Sequence, residues 1–151
     1  AGDTVFYRNR AHLMFAHVKH LTPYRHRIEL NRTYEFEQFG FGSACSGEAR
    51  LSADRNSEYI DADTLGGECV LRSWKDGDWF IPLGMTERKK LSDFFIDEKI
   101  PLFQKLTIPI FVSDGDIVWV CGKRLDDRHK ITPTTTRVLK LEYTPRTKPI
   151  E

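Results

Sequence analysis

Cysteine is scarce in this sequence. Only Cys45, Cys69 and Cys121 occur, and no two of them stand in a Cys-x-x-Cys spacing. An odd, scattered set signals neither a disulfide framework nor a zinc cluster, and a reducing cytoplasm fits it best. Long apolar runs are missing too. No stretch approaches the roughly 20 residues that a membrane-spanning helix needs, so no membrane partner is expected. Ala1-Gly2-Asp3-Thr4 lacks the basic start and apolar middle of a signal peptide, and the chain opens as if cut from a longer protein. There is no excess of charge of one sign: 23 Lys and Arg face 22 Asp and Glu, a formal net of +1. That balance argues against a uniformly basic nucleic-acid binder, although a global sum hides local clustering. Internal repeats and low-complexity segments are absent as well.

Catalytic signatures are also wanting. No Walker-type phosphate loop or nucleophile elbow occurs. Gly40-Phe41-Gly42-Ser43-Ala44-Cys45 starts like a dinucleotide loop, but Cys45 occupies the third glycine position and no helical pattern follows. A bend between strands is the expectation there.

What is present is a globular composition. Hydrophobic residues make up 40% of the 151 positions and charged residues 30%, enough for a packed core in one ordinary domain or two small ones. The charges are unevenly placed. Between Trp119 and Lys140, six cations (Lys123, Arg124, Arg128, Lys130, Arg137, Lys140) meet only Asp126 and Asp127, and the first 32 residues show the same excess. Four of the five histidines, His12, His17, His20 and His26, lie near the start. On a strand His17 and His20 point to opposite faces, and no cysteine or acid stands at a ligand-like spacing, so a solvated or RNA-facing surface is preferred over a metal site.

The periodicity is mostly that of strands. Thr4 to Arg8, His12 to Val18, His26 to Leu30 and Tyr34 to Phe39 read as strands, followed by shorter candidates at Gly47 to Ser52 and Glu58 to Ile60. Gly66-Gly67 marks a turn and the best boundary between two halves. Cys69 to Trp74 alternates, Lys75-Asp76-Gly77-Asp78 turns, and Trp79-Phe80-Ile81-Pro82 follows. The basic run Arg88-Lys89-Lys90 then opens a segment with Leu91, Phe94 and Phe95 at helical spacing, which predicts a helix from about Lys89 to Glu98. Cations at a helix entrance face the unfavourable end of its dipole, which suggests a use for them outside the helix. Pro101 ends that segment and suits the start of a second short helix through Leu106. Ile108 to Val112 and Ile117 to Cys121 are apolar runs joined at Asp114-Gly115, a hairpin dipeptide. Thr136 to Tyr143 alternates again, and a loose tail follows from Pro145. The expected fold is α+β: a β-rich domain with one or two helices packed on the sheet.

Several ordered motifs carry a resemblance. Arg72-x-Trp74-x-x-Gly77-Asp78, Pro82-Leu83-Gly84-Met85, the run from Lys89 to Asp97, Ile117-Val118-Trp119-Val120-x-Gly122-x-Arg124 and Asp126-Asp127-Arg128-x-Lys130 together resemble the C-terminal domain of tRNA(Ile) lysidine synthetase. Glu58-Tyr59-Ile60-Asp61-Ala62-Asp63 looks like the lead-in to the same domain. On this resemblance, residues 1–67 are a β-rich preceding segment, 68–143 the domain itself and 144–151 a tail. The implied fold is similar to a β-rich domain of the phenylalanyl-tRNA synthetase β subunit. The implied activity is that of an ATP-dependent ligase, which adenylates the wobble cytidine of an isoleucine tRNA and attaches lysine. Its nucleotide loop, Ser-Gly-Gly-x-Asp-Ser, is absent here, with Ser46-Gly47-Glu48 the nearest approach. ATP and lysine are therefore expected in a catalytic domain outside this chain, and no cofactor is expected within it.

The function so implied is a non-catalytic tRNA-binding module. Its partners are tRNA(Ile) and its own catalytic domain, with a second copy of the chain left open. The candidate RNA-binding residues are Arg72, Arg88, Lys89, Lys90, Arg124, Arg128 and Lys130, because long cationic side chains neutralise phosphates and arginine takes two oxygens at once. Against this, Lys89 stands four residues before Asp93, and Arg124 and Arg128 flank Asp126 and Asp127, so intrachain ion pairs are the competing use. The alternative function is docking or dimerisation without RNA contact. Trp74, Trp119, Phe94 and Phe95 read as core, while an exposed Trp79 is a candidate for stacking on a base. Departures from the family pattern are Glu87 for a glycine, Trp79 for a basic or polar residue, Lys123 for a tyrosine and His129 for an aromatic.

Overall fold

The computed structural model describes residues 22–49 and 54–146. The strands expected at Thr4 to Arg8 and His12 to Val18, part of that at Gly47 to Ser52, and most of the tail lie outside the described residues. The remainder is β-rich with two short helices, as the periodicity and the resemblance imply.

The first large sheet is antiparallel. It comprises β1 (Arg25–Ile28), β5 (Cys69–Arg72), β8 (Ile110–Ser113), β9 (Asp116–Val120) and β10 (Arg124–Leu125), adjacent in that order. The second places β2 (Thr33–Glu35), β3 (Phe39–Ser46), β11 (Val138–Pro145) and β4 (Ser57–Asp61) side by side. A two-stranded ribbon joins β6 (Trp79–Phe80) to β7 (Lys89–Lys90), and β7 runs directly into α1 (Leu91–Asp97), with α2 (Leu102–Lys105) following. Both large sheets draw strands from either side of Gly66-Gly67, since β1 pairs with β5 and β11 pairs with both β3 and β4.

The first sheet is buried on both faces, which explains why β8 and β9 are continuous apolar runs instead of alternating ones. Phe111 and Trp119 face the second sheet, where Phe41 meets them at ring-centroid distances of 5.3 and 6.4 Å. Phe39, Ile60, Leu71, Leu139 and Leu141 complete that core. Ile110, Val112, Ile117 and Val120 face the other way and bury Leu91, Phe94 and Phe95 of α1 together with Phe80. Each such fully buried side chain contributes roughly 1.5–3 kcal/mol. The layers are therefore sheet, sheet, helix. Trp119, Phe94 and Phe95 are core residues as expected, whereas Trp74 is half-buried and packs edge-on against Phe95.

Three expectations need correcting. Tyr34 to Phe39 is not one strand: β2 ends at Glu35, the chain turns with Phe36 N–H on the Phe39 carbonyl at 2.9 Å, and β3 starts at Phe39. Gly40 to Cys45 is not a bend: it lies within β3, one of the two longest strands among the described residues. A Cβ at Gly40 would stand 3.2 Å from Glu35 Oε2 and one at Gly42 would stand 3.3 Å from Thr33 Oγ1, so these glycines admit the side chains of the neighbouring strand β2. The helix expected from Lys89 begins at Leu91 instead, because Lys89 and Lys90 pair with Phe80 and Trp79. The Asp114-Gly115 hairpin does form, with φ of 45° and 87° at its two turn residues.

Candidate nucleic-acid interface

The basic residues lie on or beside the strands β5, β7 and β10, and the turns that follow β5 and β10 are held by buried carboxylates. Asp78 closes the turn after β5. Its carboxylate accepts Arg72 Nη1 and Nη2 at 2.8 and 2.9 Å and Lys75 N–H at 2.9 Å. The Asp78 carbonyl accepts the Leu91 N–H at 2.8 Å, which fixes the start of α1 against the same turn. Asp126 does the corresponding work for the turn after β10. It is wholly buried, accepts Ile81 N–H at 2.9 Å and Arg128 N–H at 2.8 Å, and takes Arg128 Nε and Nη2 at 3.0 Å each. Leu83 N–H to Leu125 carbonyl, Asp127 N–H to Ile81 carbonyl and Gly84 N–H to the Asp127 carboxylate complete the joint. The segment from Ile81 to Gly84 is thus bound along its length to residues 125–127, and Arg88 follows a few residues later.

The candidate cations differ sharply in what answers their charge. Arg72 is half-buried and engaged by Asp78. Arg128 is engaged by Asp126, whose hydrogen bond to the guanidinium raises the arginine's pKa against the opposing effect of burial. Lys130 Nζ lies 3.1 and 3.2 Å from the two Asp127 oxygens. The Asp127 carboxyl is in turn held below its usual value, first by the Gly84 N–H and then by Lys130. Lys89 pairs with Asp97, not with Asp93, because Lys89 is in a strand and the four-residue helical spacing does not apply. Arg124 is exposed and donates from Nη2 to the Leu83 carbonyl at 2.7 Å. Arg88 and Lys90 are exposed and have no carboxylate partner among the described residues. Of the other cations between Trp119 and Lys140, Arg137 pairs with Asp63 and Lys140 with Glu142.

Arg88, Lys89 and Lys90 line an open groove of about 550 Å³ together with Asp93, Ile96 and Asp97 of α1. Beside it, Trp79 is half-buried. Arg88 Cζ stands 4.0 Å and Arg128 Cζ 5.0 Å from its ring centroid. The sequence marked Trp79 as a base-stacking candidate, and the ring is instead occupied by these two guanidiniums. The sequence named Asp126 as an ion-pair partner for Arg128, which it is, but not its complete burial or its hold on Ile81. Its burial has no local signature, because Leu125 beside it is buried too and strand alternation would turn Asp126 outward.

Nothing in this region resembles a metal centre, and among the described residues no His, Cys, Asp or Glu grouping is arranged to hold a metal ion. His26 packs its ring on Phe36 at a centroid distance of 4.1 Å, while His12, His17 and His20 lie outside the described residues. No helix among the described residues is long and apolar enough to cross a membrane.

Comparison with known proteins places these features in context. The model of the TilS substrate C-terminal domain matches residues 69–142. A tRNA(Ile)-lysidine synthase of Parabacteroides distasonis is 43% identical over 93 residues, which is 62% of this chain and 21% of that protein. That of Caldanaerobacter subterraneus subsp. tengcongensis is 46% identical over 87 residues, 58% of this chain and 19% of that protein. The chain therefore spans about a fifth of the length of these curated relatives. Among solved structures, the crystal structure of a TILS C-terminal domain shares the fold with a TM-score of 0.73 at 22% identity, covering 84% of this chain and all of that one.

Proposed function

Residues 69–142 form a member of the TilS substrate C-terminal domain family, and from that premise we propose that this chain is the tRNA-gripping C-terminal part of a tRNA(Ile)-lysidine synthase. In this reading the whole protein is a cytoplasmic ATP-dependent ligase that attaches lysine to the wobble cytidine of an isoleucine tRNA. ATP and lysine bind a catalytic domain outside these 151 residues. The present chain holds the tRNA body so that the anticodon is presented to that domain. One observation carries the reading: Arg88 and Lys90 stand exposed beside an open groove with no ion-pair partner among the described residues, although five other cations of the region have one. Exposed cations without an ion-pair partner are suited to phosphate contact.

The test is binding of the chain to unmodified isoleucine tRNA and to a methionine tRNA across a salt series. Affinity is expected to fall as salt rises, and Arg88→Ala and Lys90→Ala should each reduce the salt slope by about one. Binding that ignores salt, or no binding to either RNA, overturns the proposal.

A second reading is favoured by Ile96, 66% exposed at the end of α1, and Leu102, 49% exposed at the start of α2. Exposed apolar side chains of this size suit docking onto the enzyme's own catalytic domain or a second copy of the chain. Sedimentation of the chain, alone and with that domain, decides it. Association abolished by Ile96→Asp supports docking, and a monomer that ignores the catalytic domain removes it.

A further inference from the structure

We infer that Trp79 is a positioning residue for RNA binding: its indole holds the Arg88 guanidinium in the orientation that meets a phosphate, and does not itself stack on a base. The inference rests on the tRNA-gripping role proposed above. An exposed arginine with no ion-pair partner samples many rotamers, and each contact it then makes requires that freedom to be given up. Arg88 is spared much of that, because its guanidinium already lies over an aromatic ring at 4.0 Å.

The ring is fixed in its turn. Trp79 lies on β6 opposite Lys90 of β7, and its neighbour Phe80 is completely buried. Arg128 stands over the same ring at 5.0 Å, and its guanidinium is locked by two hydrogen bonds to the wholly buried Asp126. A line of contacts therefore runs from a buried carboxylate through Arg128 and Trp79 to Arg88. The two cations on the ring are not equivalent. The charge of Arg128 is met by Asp126, so it serves as an anchor, while that of Arg88 remains available to an anion. The ring surface facing Arg88 is occupied by the guanidinium, which is why the indole is assigned to holding the cation and not to stacking on a nucleobase.

The experiment is a double-mutant cycle on the full chain, with unmodified isoleucine tRNA as the probe. It measures the dissociation constant and its salt slope for the wild type, Trp79→Ala, Trp79→Phe, Arg88→Ala and the Trp79→Ala/Arg88→Ala double variant, after thermal melting has confirmed that each is folded. Arg88→Ala should weaken binding and remove about one unit of salt slope. Trp79→Ala should weaken binding about threefold, Trp79→Phe should restore most of that because a ring remains, and Trp79→Ala should add nothing in the Arg88→Ala background. If Arg88→Ala weakens binding but Trp79→Ala does not, or if the Trp79→Ala effect persists in full without Arg88, the positioning role is overturned while the RNA reading stands. If the wild-type chain does not bind the RNA, or binds with no dependence on salt, both fall together.

Discussion

The carboxylate of Asp126, with no solvent exposure, receives both Nε and Nη2 of Arg128 at 3.0 Å, while the backbone N–H of Arg128 reaches the same group at 2.8 Å. One residue thus satisfies its neighbour two positions on through main chain and side chain together. It also holds Ile81 from the facing loop. A buried charge of this kind is strongly destabilising once its partner is removed, whatever the net worth of the intact pair.

Arg128→Ala is accordingly expected to lower stability by about 3 kcal/mol, because it leaves the Asp126 charge buried and unpaired. Arg88→Ala, over the same indole, should cost no more than about 1 kcal/mol, the scale of an exposed cation–π contact. Urea unfolding of the two variants side by side measures the difference. Equal losses would mean that Asp126 does not depend on Arg128.

Arg72 and Asp78 make the second test. Their side chains are 12% and 6% exposed, and both guanidinium terminal nitrogens reach the carboxylate. Either Arg72→Ala or Asp78→Ala should destabilise by about 3–5 kcal/mol, and the double variant should lose less than the sum of the two. RNA affinity per folded molecule should be unchanged in Arg72→Ala. A selective loss of affinity at full stability would return Arg72 to the binding surface.

His129 gives a pH dependence with a definite sign. It is buried, its Nδ1 lies 2.7 Å from Thr64 Oγ1, and its Nε2 has no partner among the described residues. Burial lowers its pKa, only partly offset by Asp126, so the folded state prefers the neutral ring. The unfolded chain takes the proton first as pH falls through the ordinary imidazole value of about 6.5. Stability from this group is therefore complete above that value and is lost as pH drops from it toward the lower folded pKa. Unfolding in urea at about pH 7.5 and about pH 5.5 should show a loss that His129→Asn reduces. An unchanged pH profile in that variant would count against the burial argument.

Lys99, two residues beyond α1, has φ of 56°, and Ile100 N–H closes back on the Phe95 carbonyl at 2.9 Å. A side chain in this left-handed conformation is strained, and glycine relieves it. Lys99→Gly should raise stability by about 1 kcal/mol and Lys99→Ala should not, since alanine keeps the Cβ. Thermal melts of the two variants distinguish relief of strain from loss of the lysine charge.

The strand-rich reading, the hairpin and the helix core were legible because each rests on local chemistry. Asp114-Gly115 accepts positive φ at both turn positions, and Leu91, Phe94 and Phe95 share one face by spacing alone. What escaped local reading had distant causes. Gly40 to Cys45 looks like a bend until Thr33 and Glu35 lie alongside it, and Lys89 looks helical until Phe80 pairs with it.

By itself the sequence determined the strand-rich class, the Asp114-Gly115 hairpin, the helix core and the family, because apolar period, turn dipeptides and ordered motifs are properties of neighbouring residues. It also named every cation of the candidate surface. Only the tertiary structure decided which of those cations keep a free charge. Arg137 is answered by Asp63, 74 residues away in the chain, and Lys89 by Asp97 at the far end of α1, while Arg88 meets an indole instead of an acid. Coulombic attraction falls with distance in space and takes no account of separation along the chain, so the availability of a charge is settled only when the sheets and loops have packed.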